Sequence, residues 1–130
     1  MRQSPLLIFE SSAFPVEPGE DEETNPGIYG KALAGWLAEQ LRVAGVPALD
    51  VIAEDFGWCI RVESAPHRLY VACASEEPDH WQLFAFAEGG IIARLLGKDK
   101  SAESLAALYA AVRRCLESAP IIRGLREEAV

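Results

Sequence analysis

The sequence predicts an α+β fold, a two-layer sandwich in which an antiparallel meander sheet of about five strands packs against two amphipathic helices. Two long stretches repeat their apolar residues at steps of three and four positions, as amphipathic helices do. Between these stretches, three runs alternate apolar and polar residues, and their connections are short enough for antiparallel hairpins. The predicted order of elements is β-α-β-β-β-β-α, in a single domain that covers residues 1–130.

The first strand is predicted at residues 6–9, and it ends before Pro15. The chain then enters residues 15–25, where five carboxylates, two prolines and a glycine leave little apolar surface to bury. A segment of this composition favours exposure to solvent over packing. We therefore expect an acidic, flexible loop at residues 15–25.

The first helix is predicted to begin with Asn25 as its N-cap and Pro26 as its first helical residue. Gly45 and Pro47 are expected to end it, because glycine commonly follows a helix and proline cannot continue one. The apolar face of this helix consists of Tyr29, Leu33, Trp36, Leu37, Leu41 and Ala44.

Three alternating strands follow the first helix and are separated by turns at residues 64–67 and 76–79. Additional strands are predicted at residues 49–52 and 91–95. The alternation places one set of side chains on a common, buried face of the sheet: Trp58, Ile60, Val62, Leu69, Val71, Cys73, Trp81, Leu83 and Ala85.

The last helix is predicted to begin at Ser101 as N-cap and to stop before Pro120. Glu103 in its first turn and Arg113 near its end both suit the helix dipole. Its apolar stripe consists of Leu105, Leu108, Tyr109, Val112 and Leu116.

Composition excludes several classes of function. The formal net charge is −8, which repels phosphate backbones and argues against nucleic-acid binding. No apolar run approaches the roughly 20 residues that span a bilayer, and the N-terminal apolar stretch is too short for a secretory signal. We therefore expect a cytoplasmic protein without a membrane partner. The three cysteines have no CxxC spacing, so reduced, buried thiols are expected in place of disulfides.

Glu54 and Asp55, together with His80, are the first candidates for acid–base chemistry. Adjacent carboxylates on a strand point to opposite faces, so the alternative is that Asp55 forms an Asx-type turn ahead of Gly57. Cys73 with a histidine is the candidate nucleophilic pair, but its phase within an apolar face favours core packing. The residues predicted to bind a ligand are Glu54, Asp55, Trp58 and Tyr29.

No catalytic residue, metal ligand or cofactor is predicted. The sequence contains no GxGxxG, Walker or GxSxG motif, and its two histidines are not spaced for metal binding. Phe84 and Phe86 alternate with Trp81 and Leu83, so one strand is apolar on both faces. Either loops cover the second face, or this patch is exposed to a partner or a second subunit.

Four segments together resemble a group of short, uncharacterised bacterial proteins: NPGIYGKALAGWLAEQL, EDFGWCIRV, LYVACAS and APIIRGLREE. The pattern of the group is a helix of the type NPGxYG…LAxWL, an EDFGW or EDWGW turn and a C-terminal PxIR segment. The resemblance implies the fold and a bacterial cytoplasmic source, but no reaction. The positions that match the pattern are Tyr29, Gly30, Leu33, Trp36, Glu54, Asp55, Gly57, Trp58 and Cys73.

The functional prediction is a small, non-enzymatic bacterial binding protein that recognises a basic protein partner through its acidic surface. An immunity-like, toxin-neutralising protein is one form of this hypothesis. One alternative is a small-molecule-binding or hydrolytic domain with a cleft near Glu54, Asp55 and Trp58. Another is a structural homodimer that pairs through Phe84 and Phe86. Either a monomer or a homodimer is compatible with the sequence.

Overall fold

The computed structural model describes residues 2–88 and 101–129. Within them the chain forms an α+β fold, which confirms the predicted class. The elements are β1 (Arg2–Gln3), β2 (Leu6–Glu10), a 3-10 helix (Glu20–Glu22), α1 (Lys31–Val43), β3 (Ala48–Glu54), β4 (Gly57–Val62), β5 (Arg68–Glu77), β6 (His80–Glu88), α2 (Ser101–Glu117) and β7 (Arg123–Glu128).

The strands form one antiparallel sheet of seven strands, more than the five or so predicted. Their order is β3-β4-β5-β6-β2-β7, and β1 pairs with β6. The two unpredicted strands are β1, which has two residues, and β7, whose sequence Arg-Gly-Leu-Arg-Glu-Glu does not alternate. The predicted strand at 91–95 lies outside the described residues.

Both helices pack on the same face of the sheet. A single apolar core joins the stripe of α1 to the stripe of α2 and to the inward side chains of the strands. The apolar faces that periodicity predicted for the two helices are therefore confirmed, except that Ala44 is exposed and Tyr29 precedes α1. The largest side chains that solvent barely reaches are Trp81, Phe9, Leu7, Leu33, Leu37, Leu41, Ile60, Leu83 and Leu116.

The start of the first helix was predicted wrongly. The helix begins at Lys31, with Gly30 as its N-cap, and not at Pro26. The amide of Asn25, the expected cap, instead donates to the backbone oxygen of Asp55 at 2.9 Å. Residues 25–28 form a turn in which the Ile28 N–H donates to the Asn25 carbonyl at 2.9 Å. The side chain that was expected to cap an earlier helix is thus held in a tertiary contact with the β3–β4 turn.

The second face of the sheet carries a smaller apolar cluster. Cys59, Ala72 and Phe86 are buried there, and Phe84 and Tyr70 pack against them. Phe56, from the turn between β3 and β4, extends over this face, with its ring centroid 5.9 Å from that of Phe86 and 6.5 Å from that of Phe84. Phe86 is only 3% exposed, but Phe56 itself is 47% exposed, so this patch is covered only in part within the chain.

Candidate functional site

Two glycines from different motifs meet at the carbonyl of Cys73. A Cβ atom added to Gly30 would lie 2.7 Å from the Cys73 oxygen, and one added to Gly57 would lie 2.5 Å from it. Both glycines also have positive φ angles, +153° and +150°, which side-chain-bearing residues rarely adopt. The motif glycines therefore allow α1 and the β3–β4 turn to approach β5 closely, which is a structural role.

Trp58 packs in the core beside this contact. It is 4% exposed, and it pairs with Cys73 across β4 and β5. The ammonium nitrogen of Lys31 lies 5.3 Å from the centroid of its indole ring. The core position of Trp58 leaves little of its surface for a ligand, although the sequence placed it among the binding residues.

Glu54 and Asp55 are both exposed and lie at the tight β3–β4 turn, where Glu54 pairs with Gly57. Within the part of the chain that the structure describes, the Asp55 side chain accepts no hydrogen bond, so the predicted Asx turn does not form. His80 lies in β6, separated from β3 by β4 and β5, which places it about 14 Å or more from Glu54. The structure therefore does not assemble the acid–base group that the sequence suggested.

The buried thiols are poor nucleophiles. Cys73 is fully buried, and burial raises its thiol pKa well above the usual value. Burial also raises the pKa of Cys59 to about 12, and the nearby carboxylate of Glu54 contributes to the shift. A neutral thiol without access to solvent cannot serve as a nucleophile near neutral pH. Core packing, the interpretation that the sequence favoured for Cys73, is confirmed.

Four clefts of about 300–490 Å³ lie among the described residues, and Glu54, Asp55 and Trp58 line none of these four. Tyr29 lines one of them, a cleft of about 410 Å³ with a mainly apolar surface. We call it the acidic cleft. It is lined by Ser12, Phe14, Pro15, Val16, Gly27, Tyr29, Ser75, Glu77, Pro78, Asp79 and Trp81.

The floor of the acidic cleft is rigid and aromatic. Phe14 and Trp81 are 5% and 2% exposed, and their rings meet edge to face with centroids 5.9 Å apart. The indole N–H of Trp81 donates to the Ser11 carbonyl at 3.0 Å. Phe14 also contacts Trp36 of α1, with ring centroids 5.4 Å apart. These contacts tie the segment after β2 to both the sheet and the first helix.

Tyr29 forms one wall of the acidic cleft and is fixed to β5 by its backbone. Its N–H donates to the Ser75 hydroxyl at 3.1 Å, and its carbonyl accepts from the Ser75 N–H at 2.9 Å. Its phenol donates to a carboxylate oxygen of Asp21 at 3.4 Å. The negative charge of Asp21 raises the Tyr29 pKa, so the phenol stays a neutral donor. The phenol of this wall residue is thus hydrogen-bonded to a carboxylate of the loop.

Glu20 fixes the acidic loop from within. It is 4% exposed, contrary to the exposure predicted for the whole loop. One of its carboxylate oxygens accepts from the Glu17 N–H at 2.9 Å. The other accepts from the N–H groups of Gly30 and Lys31 at 3.0 and 3.1 Å, at the start of α1. Glu20 therefore caps the helix that Asn25 was expected to cap.

The remaining loop carboxylates form the outer edge of the same region. Glu17, Glu22 and Glu23 are exposed, and Glu17 directly follows Val16, a wall residue of the acidic cleft. Asp21 accepts a hydrogen bond from the Gly27 N–H at 2.9 Å, which holds the loop against the turn before α1. The acidic loop thus adjoins the acidic cleft at Val16 and Glu17.

Sequence reasoning missed the acidic cleft apart from Tyr29. Phe14 and Trp81 are 67 positions apart, and no local pattern relates them. The only local signals were the turn residues Pro78 and Asp79, which predicted a bend but not what the bend would face.

No known protein family, curated protein or solved structure gives a significant match to this chain. The resemblance to short bacterial proteins therefore stays a prediction from the motifs. In the described residues, no helix is long and apolar enough to cross a membrane. Over the same residues, no three His, Cys, Asp or Glu side chains converge as metal ligands would.

Proposed function

We propose that this chain is a small, non-enzymatic bacterial binding protein that recognises a basic protein partner through the loop at residues 15–25 and the acidic cleft beside it. Neutralising a toxin, or otherwise modulating a basic protein, is the form of activity that this surface suits. The observation that carries the proposal is the buried carboxylate of Glu20. It fixes a loop that carries four other carboxylates, so the acidic surface exists before a partner arrives.

A surface fixed in advance supports binding in two ways. Less conformational entropy is lost when the partner docks, because the loop is already tied to α1 and to the turn before it. The fixed negative charges also attract a basic partner at long range and raise its association rate. An extended acidic tail would give the second effect without the first.

The homodimer alternative receives less support from the same structure. Phe86 is 3% exposed and packs with Phe84 against Phe56, which leaves the 47% exposed ring of Phe56 as the main apolar surface of this patch. The alternative of a cleft near Glu54 and Asp55 gains no support from the four clefts described above, because these residues line none of them. Of the predicted binding residues, Tyr29 is the one that lines a described cleft, so a small ligand is better supported there.

The test starts from basic proteins captured from a bacterial lysate on the immobilised chain, including products of neighbouring genes. Each is purified, and its association rate is measured with the wild type and with a variant carrying Glu17→Gln, Glu22→Gln and Glu23→Gln. The variant should associate roughly tenfold more slowly at low salt, and the difference should shrink as salt screens the charges. All three residues are exposed, so the fold should be unaffected.

The matched control removes three carboxylates elsewhere, with Glu39→Gln, Glu63→Gln and Glu103→Gln, which are also exposed. It has the same net charge as the loop variant. The proposal fails if the two variants slow association equally, because the effect would then come from net charge alone. It also fails if association with the wild type does not depend on salt.

A further inference from the structure

We propose that the acidic cleft receives the side chain of one arginine from the basic partner. This inference rests on the proposed function, because it names the group through which the partner anchors itself. A single arginine inserted in a preformed cleft is a common source of concentrated binding energy at a protein interface. The acidic loop would attract the partner, and the acidic cleft would hold it.

The lining of the acidic cleft matches the two chemical parts of an arginine side chain. Val16, Pro15 and Pro78 present apolar surface, and Phe14 and Trp81 close the floor. Such surface suits the methylene stem of a long basic side chain. Of the two acidic residues in the lining, Asp79 supplies the carboxylate for the charged end, whereas the Glu77 carboxylate lies 3.8 Å from His80 Nε2.

The charge of the acidic cleft favours a cation over a neutral or anionic ligand. Among the residues of its lining, Glu77 and Asp79 are acidic and none is basic. The Nε2 atom of the nearby His80 lies 3.3 Å from the carboxylate of Glu10 and 3.8 Å from that of Glu77. The Tyr29 wall adds Asp21, 3.4 Å from the phenol oxygen.

Two features favour arginine over lysine. The planar guanidinium can donate two hydrogen bonds to one carboxylate and can also stack on the half-buried ring of Tyr29. The position of Asp79 is also fixed, because its carbonyl accepts the Ser11 N–H at 2.9 Å and its backbone has φ +64°. A carboxylate carried on a fixed backbone suits a rigid, forked donor better than a compact ammonium group.

The position of the acidic cleft favours a protein segment over a free small molecule. Pro15 and Val16 are wall residues and also begin the acidic loop. A basic segment that lies along the loop carboxylates therefore reaches the cleft without leaving the surface. One arginine of that segment can enter while its neighbours pair with Glu17 and Glu22.

The direct test uses three blocked amino acids as probes: acetyl-arginine methylamide, its lysine counterpart and its citrulline counterpart. Citrulline keeps the shape of arginine but has no charge. Backbone amide and indole N–H resonances of the intact chain are followed by NMR during titration. Arginine should bind with an affinity on the order of millimolar and shift the signals of Tyr29, Ser75 and Trp81. Citrulline should bind roughly tenfold more weakly.

A variant with Glu77→Gln and Asp79→Asn removes the charges of the cleft and nearly preserves its shape. Asparagine tolerates the positive φ of position 79, so the turn should persist. Arginine binding should fall roughly tenfold in this variant and stay within twofold in a control with Glu39→Gln and Glu63→Gln. The inference is overturned if citrulline binds as tightly as arginine, if lysine binds more tightly, or if the shifts map outside the cleft.

The inference and the proposed function can fail separately. If a purified basic partner binds in a salt-dependent, loop-dependent way but is insensitive to the cleft variant, the arginine anchor is wrong and the proposed function stands. If arginine binds in the acidic cleft while no basic protein shows loop-dependent association, the cleft assignment stands and the proposed function is wrong.

Discussion

At the scale of single residues, two glycines of the sequence motifs allow the backbone before α1 and the β3–β4 turn to approach the backbone of β5. Gly30 and Gly57 lie on either side of the Cys73 carbonyl, and neither has room for a Cβ atom. The stretch EDFGWC looks reactive because it combines carboxylates with a thiol. Its carboxylates are exposed, its thiol is buried, and its glycine is the residue that the structure requires.

Gly57→Ala should lower the free energy of unfolding by about 2 kcal/mol or more. The added methyl would lie 2.5 Å from the Cys73 oxygen, and the backbone would be strained at φ +150°. Urea denaturation of the purified chain measures the change.

Gly35→Ala is the matched control for this substitution. Gly35 lies in α1, and an added Cβ would meet nothing within 4 Å. This variant should be more stable than the wild type by about 0.5–1 kcal/mol, since alanine favours a helix over glycine. Similar losses in both variants would contradict the steric explanation for Gly57.

The positions of individual site residues were predicted only in part from the sequence. The period-two alternation placed Trp58 and Cys73 in the core, and both are buried there. Tyr29 was predicted on the first helix and instead lies between the turn at residues 25–28 and the start of the helix, on the wall of the acidic cleft. The alternation of a strand is local, whereas the shape of a cleft depends on segments far apart in the chain.

At the scale of secondary-structure elements, the start of α1 depends on a residue ten positions earlier. Gly30, the N-cap residue, has no side chain to satisfy the free N–H groups of the first turn. The carboxylate of Glu20 accepts hydrogen bonds from two of these groups, the N–H groups of Gly30 and Lys31. Local capping rules could not identify this arrangement, because they consider only the residues next to the helix.

Glu20→Gln should lower the free energy of unfolding by about 1–3 kcal/mol. The glutamine keeps one acceptor oxygen and loses the charge that strengthens hydrogen bonds to three backbone N–H groups. The amide signals of Gly30 and Lys31 should also lose protection in hydrogen exchange. Chemical denaturation and native-state exchange measure the two effects.

Glu22→Gln is the control for Glu20, because it removes the same charge from the same loop at an exposed position. Its free energy of unfolding should stay within about 0.5 kcal/mol of the wild type. If both substitutions had the same small effect, the hydrogen bonds of Glu20 would not be what fixes the loop.

The edge strand β7 could not be predicted from an alternating pattern of apolar and polar residues. β7 lies at one edge of the sheet, and its residues are mostly exposed and charged. Charged edge strands discourage pairing with other chains, but they lack the alternation by which strands are recognised. A contact with α2 accompanies this strand: the guanidinium of Arg113 lies 3.0 Å from the carboxylate of Glu127.

At the scale of the whole molecule, the sheet separates two sets of buried side chains. Cys73 belongs to the main core beneath the helices, and Cys59 belongs to the cluster on the opposite face. Cys115 in α2 is only partly buried. The three thiols therefore report on three different environments of one fold.

In the native chain at pH 8, Cys115 should be the thiol that reacts with DTNB. Cys59 and Cys73 should react on the order of a thousandfold more slowly, because labelling requires the sheet to open. The raised pKa of Cys59, about 12, leaves about one thiolate in ten thousand at this pH. In denaturant all three cysteines should react.

Cys115→Ala identifies the reactive thiol and should abolish rapid labelling of the native chain. Rapid labelling that survives this substitution would show that one of the sheet cysteines is accessible. That result would contradict the burial of Cys59 or Cys73 on which the description of both cores depends.

By itself, the sequence determined the α+β class, the apolar faces of both helices and the buried faces of the central strands. These features follow from the repeat of the helix and the alternation of the strand, which are local properties of the chain. The tertiary structure decided where α1 begins, that Glu20 is buried, and that Phe14, Tyr29 and Trp81 border one cleft. Each of these depends on contacts between segments distant in sequence, and no local pattern records which segments will meet.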